Sequence, residues 1–365
     1  MESAAPGRKL LPHIDLLKCL AMYFVLVFHG TLYDTTVYPN MSTAHVLRFF
    51  FRTILSTCVP LFFFVNGYLL LRHPMDLRRH AGKTLRLMLL TCFWMVFLLL
   101  VLQPYYGEFF SWEELMGSCW ELKIGWNNQL WYLCTLVCVY FFFPLLKRTL
   151  DADKASFYWF TGIICVMLFG NLTTNLVMTV VNLLRDNTFA LYNNNNPIFC
   201  LFTPFGYELG LGLSYFCLGG VVWTLEERIG RIPAKWRNGI AVVGLLVSCG
   251  VWGALGWRFS LYLKYTWDVV WNGYGTVFTL CNVLCLYLLS LNYRGDGKLL
   301  RLISANTLGI YLIHDLLHKM IAPVVVRYAM MGTLPGTLIY AAGLLLISLG
   351  VCLVWKKIPL IRHLI

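Results

Sequence analysis

Polar and apolar positions separate along the chain into long apolar runs divided by short polar connections. The runs lie near residues 14–33, 46–71, 84–102, 128–147, 156–180, 206–225, 238–257, 272–291, 303–326 and 336–355. Most hold about 20 residues, the length an α-helix needs to cross a hydrocarbon core of roughly 30 Å. The expected fold is all-α: a polytopic bundle of about ten transmembrane helices, read as one integral membrane domain over residues 1–365 with no appended soluble domain. The first run is too long for a signal-peptide core and lacks a small-residue cleavage site, so it is read as the first span. Neither a soluble segment nor an internal repeat is visible, so any chemistry must come from the spans and their short connections.

Composition agrees with the pattern: 59% of the 365 residues are hydrophobic and 13% charged, with a mean hydropathy of +0.68. The net charge of +12 invites a nucleic-acid partner, but the basic residues sit in short clusters between apolar runs, as membrane topology requires. No nucleic acid is expected. One set of loops and both tails, from Arg8 and Lys9 to Arg362, carry 20 Lys and Arg; the opposite loops carry five, namely Lys123, Arg185, Arg258, Lys264 and Arg327. Both termini are therefore expected on the cytoplasmic side, in a multi-pass protein of the cell (cytoplasmic) membrane. Eleven of the 13 cysteines fall inside apolar runs, where they act as small hydrophobes rather than as a disulfide framework.

Candidate chemistry begins in the first run, IDLLKCLAMYFVLVFHG. The 11-residue step from Lys18 to His29 turns through about 1100° and rises roughly 16 Å, so both side chains lie on one helical face. Ionisable groups at that depth mark a site, although Lys18 beside Asp15 also fits simple snorkelling, and a lone His fits a bond to a neighbouring helix. Arg48 and Arg52, four apart at the outer end of the second run, either hold an anionic acceptor or reach lipid phosphate. Pro60 is expected to kink that run before Asn66 and Gly67. The outer loops hold Trp112, Trp120 and Trp126, four acids, and Asn193 to Asn196, a composition shared by sugar-binding rims and ordinary interfacial belts. In the ninth run Tyr311, His314 and His318 share a face, with Asp315 and Lys319 as a neighbouring i,i+4 pair. The text from His314 to His318 has the outline of a zinc motif, but Asp replaces Glu and no clear third ligand is present, so no metal is expected.

Taken together, these stretches resemble the membrane acyltransferase 3 family, integral membrane O-acyltransferases of surface polysaccharides. Lys18 and His29 match its basic-x10-His signature in span one. CVPLFFFVNGYLL (Cys58 to Leu70) is similar to the run that ends its second span, and Lys83 and Arg86 to the basic pair before its third. QLWYL (Gln129 to Leu133) and NTLGIYLIH (Asn306 to His314) are similar to its Trp-aromatic-Leu helix and its late motif. Lys18 and Lys83 stand where Arg is commoner, and Asn66 where Ser is usual. The resemblance covers essentially the whole chain. It implies transfer of an acyl group, most often acetyl, from cytoplasmic acyl-CoA to a hydroxyl of an extracytoplasmic glycan or lipid-linked sugar.

On that reading His29 is the base, since burial disfavours the imidazolium and leaves a neutral imidazole to accept the hydroxyl proton. An imidazole also takes acyl groups covalently, so direct and two-step transfer both stay open. Tyr311 and His314 are partners in the catalytic group. Lys18, Lys83 and Arg86 are expected to hold the phosphates of acetyl-CoA or another acyl-CoA. Arg48, Arg52 and Asn66 are the candidate acceptor-binding residues. A proton-coupled small-molecule carrier without acyl transfer is the alternative, because mid-membrane His and Lys also suit transport.

Overall fold

The computed structural model describes residues 11–30, 43–118, 120–123, 125–185, 205–328, 332–359, 362 and 364. Arg8, Lys9 and the Asn193 to Asn196 run, which entered the charge count and the rim reading, lie outside the described residues.

Helix α1 (Pro12–His29) is the hub. Pro12 occupies its first turn, where a missing N–H costs no helical bond, and Asp15 lies near the positive end of the helix dipole. Ile14, Leu17, Ala21, Met22 and Val25 to Val27 are buried, because α1 is surrounded by helices rather than by lipid.

The second expected span is two helices, α2 (Thr43–Leu55) and α3 (Cys58–Arg72). The break has a local cause. Pro60 has no N–H for the Ser56 carbonyl four residues back, and its ring crowds that carbonyl. The hydroxyls of Thr53, Ser56 and Thr57 meanwhile bond carbonyls three residues back, each at 2.7 Å, which tightens the turn. The kink expected at Pro60 thus falls at Ser56 and Thr57.

Helix α4 (Leu77–Tyr106) outruns its expected span at both ends. Its 30 residues rise about 45 Å, well beyond a bilayer core. The Asp76 side chain caps it by accepting from the Arg79 N–H, and Gly107 closes it at φ 69°, a left-handed conformation that glycine adopts without strain. Hydropathy ends where charge begins, but the helix does not, so Lys83 and Arg86 ride on its first turns.

The short helix α5 (Trp112–Gly117) lies in the loop that follows. Helix α6 (Trp131–Ala152) leads to α7 (Lys154–Cys165), which continues through a π-type turn at Val166–Gly170 into α8 (Asn171–Arg185). Next come α9 (Tyr207–Gly230), α10 (Ala234–Leu263) and α11 (Val277–Ser290). The ninth expected span starts earlier than its hydropathy suggests and is interrupted at Asn306, giving α12 (Lys298–Ala305) and α13 (Thr307–Val325). Helix α14 (Leu334–Trp355) completes the bundle.

Among the described residues nine helical segments are long and apolar enough to cross a membrane; the eighth expected span, 272–291, corresponds to α11, which has only 14 residues. The protein is a polytopic helical membrane bundle. Helices α2, α3, α11, α12, α13 and α14 pack on α1, while α4, α6, α7, α8 and α10 are not among its main neighbours. The closest pair is α3 with α9. A Cβ on Gly67 would lie 1.8 Å from the Phe216 carbonyl oxygen, and one on Gly219 would lie 2.0 Å from that of Phe64. Only glycine allows this approach, the small-residue packing that lipid-embedded helices use.

Candidate active site

Helix α1 lies parallel to the α12–α13 pair in a fixed register. Lys18 Nζ donates to the Ser304 carbonyl across 286 residues of sequence, and His29 meets Asp315 across the same separation. The two side chains that share a face of α1 therefore both look at the late motif. Asp15 accepts from the Ser304 hydroxyl, which pins the lower end of this contact.

At the Lys18 end a cavity of about 450 Å³ opens among α1, α3, α4, α6 and α13. Lys18, Lys83, Arg86, Asn66 and Tyr311 line it, together with Phe62, Tyr132, Tyr140 and several leucines. The positive charges are at its edge, for Lys83 and Arg86 are exposed. Its inner wall is aromatic and hydrogen-bonded. Tyr140 donates to Asn66 Oδ1 at 3.1 Å, while Asn66 Nδ2 donates to the Phe62 carbonyl at 2.9 Å. Tyr311 donates to the Gln129 carbonyl, and its ring lies 5.3 Å from that of Tyr132 in an edge-on arrangement.

One turn further along α13 the polar groups converge on the end of α1. His314 is fully buried, and its Nδ1 lies 2.6 Å from the Tyr311 carbonyl. A carbonyl only accepts, so Nδ1 carries the proton and a neutral His314 keeps its lone pair on Nε2, which has no partner among the described residues. The rings of His29 and His314 stand 5.3 Å apart at 89°. Nδ1 of His29 is 3.9 Å from Asp315 Oδ1, beyond a direct hydrogen bond but within ion-pair range. A carboxylate on that side favours the tautomer protonated at Nδ1, leaving Nε2 as the basic nitrogen. Asp315 is tied in turn to Lys319, and Lys319 donates to the Trp126 carbonyl at 3.0 Å. The His29 side chain keeps 27% of its surface accessible, whereas His314 keeps none.

The remaining candidates are dispersed. Arg52 pairs with Asp268 at 3.6 Å and lies over the Phe28 ring, beside His29 in sequence. Arg48 is half-buried on the same helix, and neither arginine lines the cavity that holds Asn66. The three candidate acceptor-binding residues are thus not brought together. His318 is engaged with α14, its Nδ1 hydrogen-bonded to the Tyr340 hydroxyl at 3.0 Å. Among the described residues no three His, Cys, Asp or Glu side chains cluster as metal ligands, and the cysteines there are unbridged. In the connection between α4 and α6 Trp112 and Trp120 are exposed, whereas Trp126 is buried against Tyr106 and Phe110 under the Lys123 ammonium.

Asp315 was absent from the expected site. Its i,i+4 pairing with Lys319 was legible, but the approach of His29 was not. Tyr311, His314 and Asp315 stand at i, i+3 and i+4, one stripe of α13, and that spacing was the available signal.

An acyltransferase-domain model, that of the acyltransferase 3 family, matches residues 11–355 of this chain. The protein belongs to that family. It is a multi-pass membrane acyltransferase, so the carrier reading gives way to a transferase. No curated protein and no solved structure matches it.

Proposed function

We propose that the protein is an O-acyltransferase of the cytoplasmic membrane that takes an acyl group, acetyl in the first instance, from cytoplasmic acyl-CoA. The acceptor is a hydroxyl of an extracytoplasmic glycan or lipid-linked sugar. The observation that carries this reading is a continuous polar line. It starts at Lys18, Lys83 and Arg86 on the edge of one cavity, passes Tyr311 in its wall, and ends at the His29, His314 and Asp315 group.

Phosphates stay in water because transfer into hydrocarbon is costly, and the basic edge gives them charge-assisted donors. The thioester arm is slender and only weakly polar, so it enters. The rise of roughly 16 Å between Lys18 and His29 is comparable with the reach of an extended pantetheine arm. His29 Nε2 takes the hydroxyl proton as the oxygen attacks the thioester carbonyl. The new C–O bond forms, the C–S bond breaks, and the proton passes from His29 to the leaving thiolate. Asp315 is a positioning residue that holds the His29 tautomer and favours the transient imidazolium, and Lys319 keeps Asp315 charged and in place.

Mass analysis of surface glycans and lipid-linked sugars, from cells with and without the protein, tests this. The expected result is an alkali-labile acyl substituent present only with the intact protein and lost with His29→Ala. Identical glycan and lipid-linked sugar profiles in the two strains, with the protein expressed and correctly inserted, would overturn it.

A further inference from the structure

A second and larger cavity, of about 970 Å³, lies at the basic end of the bundle, the end expected to face the cytoplasm. It forms where α3 and α9 end, α7 and α10 begin, and the chain leaves α11. Arg72, Lys154, Arg231, Arg237 and Arg294 line it, against Glu226 and Glu227.

Basic residues at a membrane boundary commonly serve only as topology signals, and such residues sit in water with their donors hydrated. Two of these five are withdrawn from it, Arg237 as a buried residue and Arg72 as a half-buried one. Arg237 is only 8% exposed and donates through Nη2 to Asn292 Oδ1 at 2.6 Å, yet its Nε is buried with no partner among the described residues. The Arg72 Nη1 is buried and equally without one. A buried guanidinium donor left unsatisfied is unfavourable, so the arrangement asks for an acceptor.

The glutamates do not supply it. Glu226 accepts from the Tyr68 hydroxyl at 2.7 Å, and among the described residues none of the five cations forms an ion pair with either acid. Asn292 is itself fixed, its Nδ2 donating to Asn238 Oδ1 at 2.7 Å and to the Leu289 carbonyl at 3.0 Å, so Arg237 is held rather than free to swing out. The donor cavity already described shares none of these residues.

We propose that this cavity is a binding site for a phosphate ester, gripped by Arg72 and Arg237 and surrounded by Lys154, Arg231 and Arg294. Phosphate oxygens match the planar fork of arginine in number and geometry. The volume is at the upper end of small-molecule pockets, so the ligand carries an organic body beyond the phosphate itself. Trp223, Ile232, Pro233 and Leu291 give that body an apolar flank. The same chemistry is offered by an anionic lipid headgroup and by a soluble phosphorylated metabolite. This assignment does not depend on the acyl-transfer mechanism, since the site is made by other residues.

The test uses the full chain in nanodiscs of phosphatidylcholine with three probes: dioctanoyl phosphatidic acid, glycerol 3-phosphate, and dioctanoylglycerol, which lacks the phosphate. We expect saturable binding of phosphatidic acid, of glycerol phosphate, or of both, and none of dioctanoylglycerol. Binding of phosphatidic acid alone identifies a lipid headgroup, and binding of glycerol phosphate identifies a soluble ester. Arg72→Gln/Arg237→Gln should weaken that binding about tenfold or more, with the loss shrinking in high salt. Should that variant fail to fold, the exposed pair Lys154→Gln/Arg231→Gln serves instead, with about a threefold loss expected from rim charges. Arg78→Gln/Arg79→Gln, at neither cavity, should bind as the parent does. Failure of both phosphate probes to bind saturably, equal binding of dioctanoylglycerol, or an equal loss in the Arg78 and Arg79 variant would each overturn the proposal.

Discussion

Two helix contacts near the centre of the bundle are built on opposite terms. Where α3 meets α9, glycines let backbone lie on backbone, and no side chain intervenes at Gly67 or Gly219. Where α1 meets α13, His29, His314, Asp315 and Lys319 fill the contact with ionisable groups, one of them partly accessible. Burying charge is costly unless it is paired, whereas close packing of small residues stabilises without any polar partner. The first contact has nothing to offer a substrate and fixes distances. The second gives up packing for chemistry and relies on the first to hold it in register, because α3 packs on both α9 and α1.

Breaking the dry contact should have the largest effect. Gly67→Val or Gly219→Val is expected to abolish folded protein, since the clash is with backbone that cannot yield, while Gly82→Ala, which meets nothing within 4 Å, should leave yield unchanged. Fluorescence-detected size exclusion decides it, and a monodisperse peak for either valine variant contradicts the comparison. Next comes His29→Ala at the polar contact, for which acyl transfer should fall by about 10² or more with an unaltered elution profile. Substantial transfer by that well-folded variant would remove His29 from the mechanism, and His318→Ala, whose ring bonds Tyr340 instead, should have a milder effect.

Asp315→Asn alone strands the Lys319 charge, so the informative variant is Asp315→Asn/Lys319→Met. It should remain folded and lose about tenfold in kcat with KM little changed, as expected when a base is misoriented rather than a substrate released. A KM effect with kcat preserved would make Asp315 a binding residue. Smaller again, Lys83→Ala/Arg86→Ala should weaken coenzyme A binding by up to about tenfold at low salt, and less as salt rises, because both side chains are exposed. Unchanged affinity in a correctly oriented protein would reduce the pair to topology signals.

The smallest effect lies outside both contacts, at α5. The Ser111 N–H and hydroxyl hold the Glu114 carboxyl below its ordinary value of 4.5. A depressed carboxylate stabilises the helix above its ordinary value and stops doing so as pH falls through the folded one. Amide exchange in Trp112–Gly117 should therefore quicken as pH is lowered past that range, after correction for intrinsic rates, and Glu114→Gln should remove the dependence.

The polar contact was half legible in the sequence. Helical periodicity placed Lys18 and His29 on one face, and Lys18, Lys83 and Arg86 were legible as basic residues at the same end of two spans. What periodicity cannot supply is the partner. Nothing local to residue 29 points to Asp315, and the spacing of α13 allowed His318 as readily as Asp315 to face α1. The position of the first break, at Ser56 rather than Pro60, and the existence of the second, at Asn306, were hidden for a related reason. Hydropathy averages over a run, whereas a break depends on single hydroxyls, a proline four residues on, and in the second case Lys356 donating to Asn306 Oδ1 at 2.6 Å. Glycine pairing was least visible, since Gly67 and Gly219 acquire meaning only when α3 and α9 are side by side.

The short helix α11 bears on the membrane itself. Its 14 residues rise about 21 Å where the hydrocarbon is roughly 30 Å thick. Its first turn lies at the depth of the α2–α3 break, where the Ser56 and Thr279 hydroxyls are 2.6 Å apart. The chain leading into it, with Val269, Val270 and Tyr274 buried and Asp268 paired to Arg52, therefore enters the depth that a full-length span would cross. This is hydrophobic mismatch built into the protein rather than imposed by lipid. Beside α1, the apolar barrier set by α11 is about 9 Å shorter than the hydrocarbon thickness that a full span matches.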